Sequence, residues 1–132
     1  MNRDLVHYII VRKDMPMGVV AAQVAHVAAE SAVLYTSFFH GSTVVVLEVD
    51  NQTQLLRANS KLIQAGLAPV CFYESSGPLG GQFTALGLVP CEREKVAELL
   101  KNYRLFNEVD KAVQEAYNSK LPETTDVPVT EA

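Results

Sequence analysis

The sequence predicts an α/β domain, a three-layer α/β/α sandwich built around a four-stranded mixed sheet. Apolar segments rich in β-branched residues alternate with segments of helical periodicity, in the order β-α-β-α-β-β-α. The 132 residues are 48% hydrophobic and 20% charged, which is enough apolar material for one globular core without a disulfide or metal staple.

The first strand and helix have the strongest signals. Leu5 to Val11 is an apolar run closed by charged residues, which is typical of a strand buried on both faces of a parallel sheet. From Gly18 to about Tyr35 the chain has six alanines and no internal Gly or Pro, so we expect a helix there.

A second strand and helix follow directly. Thr43 to Val49 reads TVVVLEV, which predicts a strand because β-branched residues dominate it. Asn51 can cap a helix that runs from about Gln52 to Ala65 and stops at Gly66.

The next two strands are expected to form a hairpin. Leu67 to Tyr73 predicts the third strand, and Gln82 to Val89 predicts the fourth. The loop between them, residues 74–81, is rich in Ser and Gly and short enough to join antiparallel strands.

Beyond the hairpin the chain is first helical and then acidic. A helix is expected after Pro90, because apolar residues follow at helical spacing, namely Val96, Leu99, Leu100 and Tyr103. Residues 108–117 form a short amphipathic segment, so we expect a single domain over residues 1–117. Residues 118–132 are rich in Pro, Thr and acids with little to bury, which predicts a disordered acidic tail.

The charge distribution restricts the classes of partner. Residues 107–132 hold six acids against two lysines, which accounts for the whole net charge of -4 and leaves residues 1–106 balanced. A neutral body weakens a nucleic-acid interpretation without excluding it, since phosphates bind to local basic patches. Arg12 and Lys13, at the end of the first strand, lie where a phosphate backbone would need them.

The sequence also predicts a compartment. The apolar run near the N-terminus is too short and too closely flanked by charge for a signal peptide or a membrane span. Cys71 and Cys91 do not form the pattern of a disulfide framework. We therefore expect a cytoplasmic protein that does not contact a membrane.

One candidate site feature lies on the first helix. Gln23, His26 and Glu30 follow spacings of three and four residues, so they share one face of the helix. In the simpler interpretation this face lies in solvent. In an open α/β sheet, however, ligands bind beyond the carboxyl ends of the parallel strands, where the first helix begins.

The other candidate feature is the loop after the third strand. Glu74 is a carboxylate at an apolar strand end, and Ser75 and Ser76 offer hydroxyls and amides that can hold an anion or an oxyanion. If the first and third strands are parallel, this loop and the Gln23 face converge on one cleft. The alternative is that the loop residues only satisfy turn geometry.

No metal-binding, nucleotide-binding or serine-hydrolase motif occurs in the sequence, so neither a cofactor nor a metal is expected.

Residues 8–26 resemble the opening of type II peptidyl-tRNA hydrolases. In that family an apolar strand ending in Arg-x-Asp leads to Met-Gly and then to Ala-Ala-Gln-x-x-His. Here the chain reads YIIVRKD over residues 8–14, Met-Gly over 17–18 and AAQVAH over 21–26. Residues 86–90, LGLVP, are similar to the family's Leu-Gly-Ile-Gly-Pro, and the resemblance covers roughly residues 6–106.

The resemblance is nearest to a divergent branch called peptidyl-tRNA hydrolase domain-containing proteins. These tend to end in an element like residues 101–106, KNYRLF. The lysine that the wider family carries between Met-Gly and Ala-Ala-Gln is missing, because Gly18 runs directly into Val19. The family loop Asp-Ala-Gly-x-Thr-Gln is shortened to the Glu-Ser-Ser-Gly of residues 74–77.

The resemblance implies a hydrolase that uses water to cleave the ester between a peptide and the 3' end of tRNA. Peptidyl-tRNA would be the substrate, and Arg12 or Lys13 would contact RNA and replace the charge of the missing lysine. Such a reaction needs a base for water and donors for the oxyanion. Glu74 or His26 would be the base, and the donors would come from Gln23, Ser75 and Ser76.

Two other functions stay open at the level of sequence. An RNA- or protein-binding module could keep the cleft without the chemistry, and the missing lysine favours it. A small-molecule ester or amide hydrolase could use the same cleft, and the lack of a strongly basic surface favours that interpretation. The sequence leaves a homodimer open as well as a monomer.

Overall fold

The computed structural model describes residues 5–34 and 43–121 of the chain. Four helices and six strands lie in these ranges. In chain order they are β1 (Leu5–Arg12), α1 (Met17–Ala32), β2 (Thr43–Val49), α2 (Gln52–Gln64), β3 (Val70–Glu74), β4 (Gln82–Gly87), β5 (Cys91–Glu92), α3 (Arg93–Leu100), β6 (Arg104–Leu105) and α4 (Lys111–Lys120).

The strands form one mixed sheet in the order β3-β4-β1-β2-β6, and β5 pairs with β1 beside this path. β1 and β2 are parallel, whereas β4 is antiparallel to both β1 and β3. β3 therefore runs in the same direction as β1, and the carboxyl ends of β1, β2 and β3 lie at one edge. The prediction of four strands is corrected to six, because β5 and β6 have two residues each and carry too little pattern to be detected.

Helices cover both faces of the sheet. Val27 of α1 packs with Ile9 on one face. Leu55 of α2 and Val96 of α3 pack with Ile10 on the other face. Neighbouring residues of a strand point to opposite faces, so β1 supplies both cores. The predicted three-layer α/β/α sandwich is confirmed.

Some boundaries differ from the predictions. β3 begins at Val70 rather than Leu67, because Pro69 has no N–H to donate to the ladder. The helix α4 continues to Lys120, past the predicted domain end at residue 117. The rest of the predicted acidic tail, residues 122–132, lies outside the described residues.

The first helix ends at Ala32, and its predicted end near Tyr35 also lies outside the described residues. None of the helices in the described ranges is long and apolar enough to cross a membrane.

One irregularity in β4 matters for the site. The pairing with β3 passes from Ala85 directly to Phe83, so Thr84 is an extra residue, a β-bulge. Phe83 packs on the side of α2, whereas Ala85 packs on the side of α1. The bulge turns Thr84 towards α1 as well, where its hydroxyl bonds to Gln23.

Candidate active site

Gln23 of α1 and Glu74 at the end of β3 meet at the carboxyl edge of the sheet. The Nε2 amide of Gln23 donates a hydrogen bond to Oε2 of Glu74 at 3.1 Å. Gln23 is buried and Glu74 is half-buried. The predicted convergence of the first helix with the loop after the third strand is therefore observed, while the catalytic roles of the two residues stay predictions.

The buried hydroxyl of Thr84 fixes the orientation of the Gln23 amide. Thr84 Oγ1 donates to Gln23 Oε1 at 2.8 Å, and Thr84 has no exposed surface. Because the carbonyl end of the amide is engaged by Thr84, its N–H end is turned towards Glu74. Thr84 is not among the residues predicted from the sequence, where its only signal is a lone hydroxyl between Phe83 and Ala85 in an apolar strand.

The loop after β3 wraps around the carboxylate of Glu74. Oε1 of Glu74 accepts the backbone N–H groups of Ser75 at 3.1 Å and of Ser76 at 3.4 Å. Gly77 and Gly81 have φ angles of 77° and 81°, which let the loop turn back on itself. Both serine amides thus donate to Glu74. In this geometry they are engaged by the carboxylate and do not face a position for an oxyanion, which the sequence had suggested.

A cavity of about 170 Å³ opens beside the Gln23–Glu74 pair. Its wall is mainly apolar and includes a few polar side chains, among them Gln23 and Glu74, as is common in sites for small groups. The other lining residues are Gly18, Val19, Ala22, Ser76, Gly77, Pro78, Leu79 and Tyr117.

Besides Gln23, the cavity is lined by one of the two predicted serine donors and by one unexpected residue. Ser76 lines it, whereas Ser75 does not and is exposed. Tyr117 reaches the cavity from α4, and only its aromatic character in an amphipathic segment could have suggested a role. Across the two described ranges, no group of three or more His, Cys, Asp or Glu residues is placed to hold a metal ion.

His26 does not line this cavity, and its role as an alternative base stays a prediction. Its ring is exposed and stacks on Phe72, with the ring centroids 4.8 Å apart and an angle of 1° between the planes. His26 lies about one helical turn after Gln23 and packs over Phe72, whereas Gln23 contacts Glu74 at the end of the same strand.

Arg12 is buried and paired within the protein, so it is not placed to contact RNA as predicted. Its guanidinium donates to both carboxylate oxygens of Asp14, at 2.8 and 2.9 Å. A further N–H donates to Gln82 Oε1 at 2.8 Å, and the same nitrogen donates to a backbone carbonyl of β4. These bonds satisfy the charge of Arg12 inside the fold.

Lys13 is partly exposed but forms ion pairs of its own. Its Nζ lies 3.3 Å from Glu48 Oε2 and 3.7 Å from Asp50 Oδ1. Neither Lys13 nor Arg12 lines the cavity beside Glu74. The charge of the missing family lysine is therefore not replaced there by the residues that the sequence suggested.

A larger cavity, of about 390 Å³, lies near the end of β2. It is lined in part by Arg104, which pairs with Glu48 at 3.2 Å and with Asp50 at 3.3 Å. Because the guanidinium of Arg104 is engaged by these two carboxylates, the geometry favours the smaller cavity as the site of chemistry.

Comparison with known proteins identifies the family. The family model "Peptidyl-tRNA hydrolase PTH2" matches residues 5–106. A human protein named "Putative peptidyl-tRNA hydrolase PTRHD1" is 30% identical over 120 aligned positions, covering 77% of this chain and 82% of the human one. The mouse protein of the same name is 28% identical over 118 positions, with the same coverage.

A solved structure has the same fold. It is a protein of unknown function, Atu0240, from Agrobacterium tumefaciens strain C58, with a TM-score of 0.60 and 13% sequence identity. The similarity covers 79% of this chain and 98% of the other. The family match over residues 5–106 confirms the resemblance seen in the sequence: this chain belongs to the PTH2 family of peptidyl-tRNA hydrolases.

Proposed function

We propose that this protein hydrolyses the ester bond of peptidyl-tRNA. The observation that carries the proposal is the hydrogen-bonded Gln23–Glu74 pair in the wall of a small cavity. Ester hydrolysis needs a base that accepts a proton from water and a donor for the oxyanion that forms. A carboxylate beside an oriented amide supplies both groups.

In this mechanism Glu74 takes a proton from a water molecule as the water oxygen attacks the acyl carbon. The N–H of Gln23 that is not bonded to Glu74 then donates to the developing oxyanion, with the Ser76 hydroxyl as a second donor. When the tetrahedral intermediate collapses, the bond between the acyl carbon and the ribose oxygen breaks. Glu74 returns its proton to that oxygen, which yields the free peptide acid and the free 3' end of tRNA.

Thr84 and the loop amides act indirectly. Thr84 holds the amide of Gln23 in one orientation, and the amides of Ser75 and Ser76 hold the carboxylate of Glu74. Groups fixed before the reaction need no reorganisation in the transition state, which is the main advantage of such sites over water.

A second function has one observation in its favour. The lining of the cavity, among the residues described, includes neither Lys nor Arg, so nothing there replaces the lysine that the family carries. Removing one electrostatic donor from such a site costs about 10²–10³ in rate. A binding module that keeps the cleft and has lost the chemistry is therefore the alternative.

The experiment that separates these functions measures release of tRNA from peptidyl-tRNA by the purified protein. Glu74→Gln keeps the shape of the side chain and removes the base, so kcat should fall by about 10²–10⁴-fold while KM changes little. Glu30→Gln is the matched control, because Glu30 is an exposed carboxylate on α1 outside the cavity. Substrate binding without release by the wild-type protein would establish the binding module instead.

A further inference from the structure

The helix α4 crosses the carboxyl edge of the sheet. Near its start, Asp110 and Val113 line a cavity of about 180 Å³ together with Lys13 and Asp50, which follow β1 and β2. Near its end, Tyr117 lines the cavity of the Gln23–Glu74 pair beyond β3. The helix thus spans the edge at which ligands bind in open α/β sheets.

The segment before α4 is firmly attached to the sheet. The backbone N–H of Phe106 donates to the carbonyl of Val46 at 2.9 Å, and that of Asn107 donates to Glu48 Oε1 at 3.1 Å. Val109 packs against the core on the α1 side. The position from which α4 starts is therefore fixed by the body of the fold.

The helix α4 itself is not anchored by buried side chains, since none of its residues is buried. It also lies beyond residue 106, the last residue that the family model matches. A helix without a buried face gains little stability from packing on the sheet. Its most specific contribution is the half-buried Tyr117 ring, which forms one wall of the cavity.

We propose that Tyr117 is a specificity-determining residue whose ring stacks on the terminal nucleobase of the tRNA 3' end. This inference rests on the proposed function, because it names the part of the substrate that the same cavity holds. The same cavity is lined by the aliphatic side chains of Val19, Ala22 and Leu79. A flat group between an aromatic ring and an aliphatic wall is held through its faces, as bases are in single-strand binding sites.

We assign the Tyr117 ring to the nucleobase rather than to the peptide because the nucleobase does not vary between substrates. The 3'-terminal base is the same in every tRNA, whereas the amino acid next to the ester changes from one substrate to another. An aromatic wall suits the constant group, since an aromatic ring stacks on the face of a base.

The test uses a stable substrate analogue, an N-acetylphenylalanyl group joined by an amide to 3'-amino-3'-deoxyadenosine. Titration calorimetry with the full chain gives its Kd, and the same acyl group on ethanolamine serves as a ligand without the base. Tyr117→Ala should weaken binding of the adenosine ligand about 5- to 150-fold, the range for one stacked base. Binding of the ethanolamine ligand should change by less than about twofold.

Three further variants complete the test. Tyr117→Phe keeps the ring and should bind the adenosine ligand as the wild type does. Glu115→Ala, at an exposed position of the same helix, is the matched control and should also be unchanged. Tyr117→Trp introduces the only Trp of a chain that has none, so its fluorescence should change when the adenosine ligand binds.

Each outcome decides the proposal. Unchanged affinity of Tyr117→Ala for the adenosine ligand would overturn it, as would equal weakening for both ligands, which would assign the ring to the acyl group. If the wild type fails to bind the adenosine ligand, this inference is overturned together with the proposed function. If the wild type binds it through Tyr117 but releases no tRNA from peptidyl-tRNA, only the hydrolase function is overturned.

Discussion

Replacing Thr84 with Val tests whether the bulge in β4 positions the Gln23 amide. Valine has nearly the shape of threonine, but it cannot donate the 2.8 Å hydrogen bond to Gln23 Oε1. Both residues are buried, with exposed fractions of 0% for Thr84 and 5% for Gln23. A buried carbonyl left without its donor costs about 1–3 kcal/mol, which corresponds to a decrease in Tm of roughly 4–12 °C.

The effect on catalysis follows from the same contact. Once its carbonyl end is free, the Gln23 amide is no longer held with its N–H groups towards Glu74 and the cavity. Outright loss of an oxyanion donor costs about 10²–10³ in kcat. Loss of its orientation alone should cost less, so we expect kcat of Thr84→Val to fall about 10- to 10²-fold.

A double-mutant cycle measures the coupling directly. The rate of tRNA release and the Tm are determined for Thr84→Val, Gln23→Leu and the double variant, with Thr84→Ser as the control that keeps the hydroxyl. If Thr84 acts through Gln23, then Thr84→Val has little further effect on the rate once Gln23 is Leu. Full additivity of the two rate effects, or wild-type values in Thr84→Val, would refute this reasoning.

Three further predictions concern other parts of the chain. Val19→Lys places a cation on the cavity wall, one helical turn before Gln23, and should raise the rate of tRNA release. An inactive but well-folded variant would favour the binding module. Deletion of residues 122–132, which carry three acids and no Lys or Arg, should strengthen tRNA binding in a filter-binding assay at low salt. Affinity equal to that of the full chain would count against competition between the tail and tRNA phosphates for basic side chains. Burial lowers the pKa of His7 below 6.5, so the stability gained from its neutral ring is present above about pH 6.5 and is lost as the pH falls towards the folded-state pKa. The Tm should therefore drop more steeply between about pH 7 and pH 5 in the wild type than in His7→Gln, and parallel profiles would contradict this.

The layer architecture could be predicted because the main elements carry strong periodic signals. β2 spans Thr43–Val49 as its run of β-branched residues predicts, and the parallel direction of β1 and β3 brings Glu74 to Gln23 as expected. The short strands β5 and β6 escaped detection because two residues have no measurable alternation. Pairing of such short segments depends on the neighbouring strands, which local sequence does not describe.

The details of the site were less predictable because they depend on long-range contacts. Arg12 is a charged residue at a strand end, a position that predicts an exposed basic side chain. In the structure it is buried, and its guanidinium donates hydrogen bonds to Asp14 and Gln82. His26 shares a helix face with Gln23 only approximately, and its ring rests on Phe72. Thr84 reaches Gln23 only because a bulge changes the direction of one side chain, which simple alternation along a strand cannot indicate.

The most direct measurement of the central claim is hydrolysis of peptidyl-tRNA in water enriched in oxygen-18. Mass spectrometry of the released peptide and the tRNA shows which bond was cleaved and where the water oxygen went. We expect the wild type to release tRNA, with one labelled oxygen in the peptide carboxyl group and none in the tRNA. We expect Glu74→Gln to bind the substrate and release at most a small fraction in the same time. Absence of release by the wild type, label in the tRNA 3' end, or wild-type release by Glu74→Gln would contradict the account.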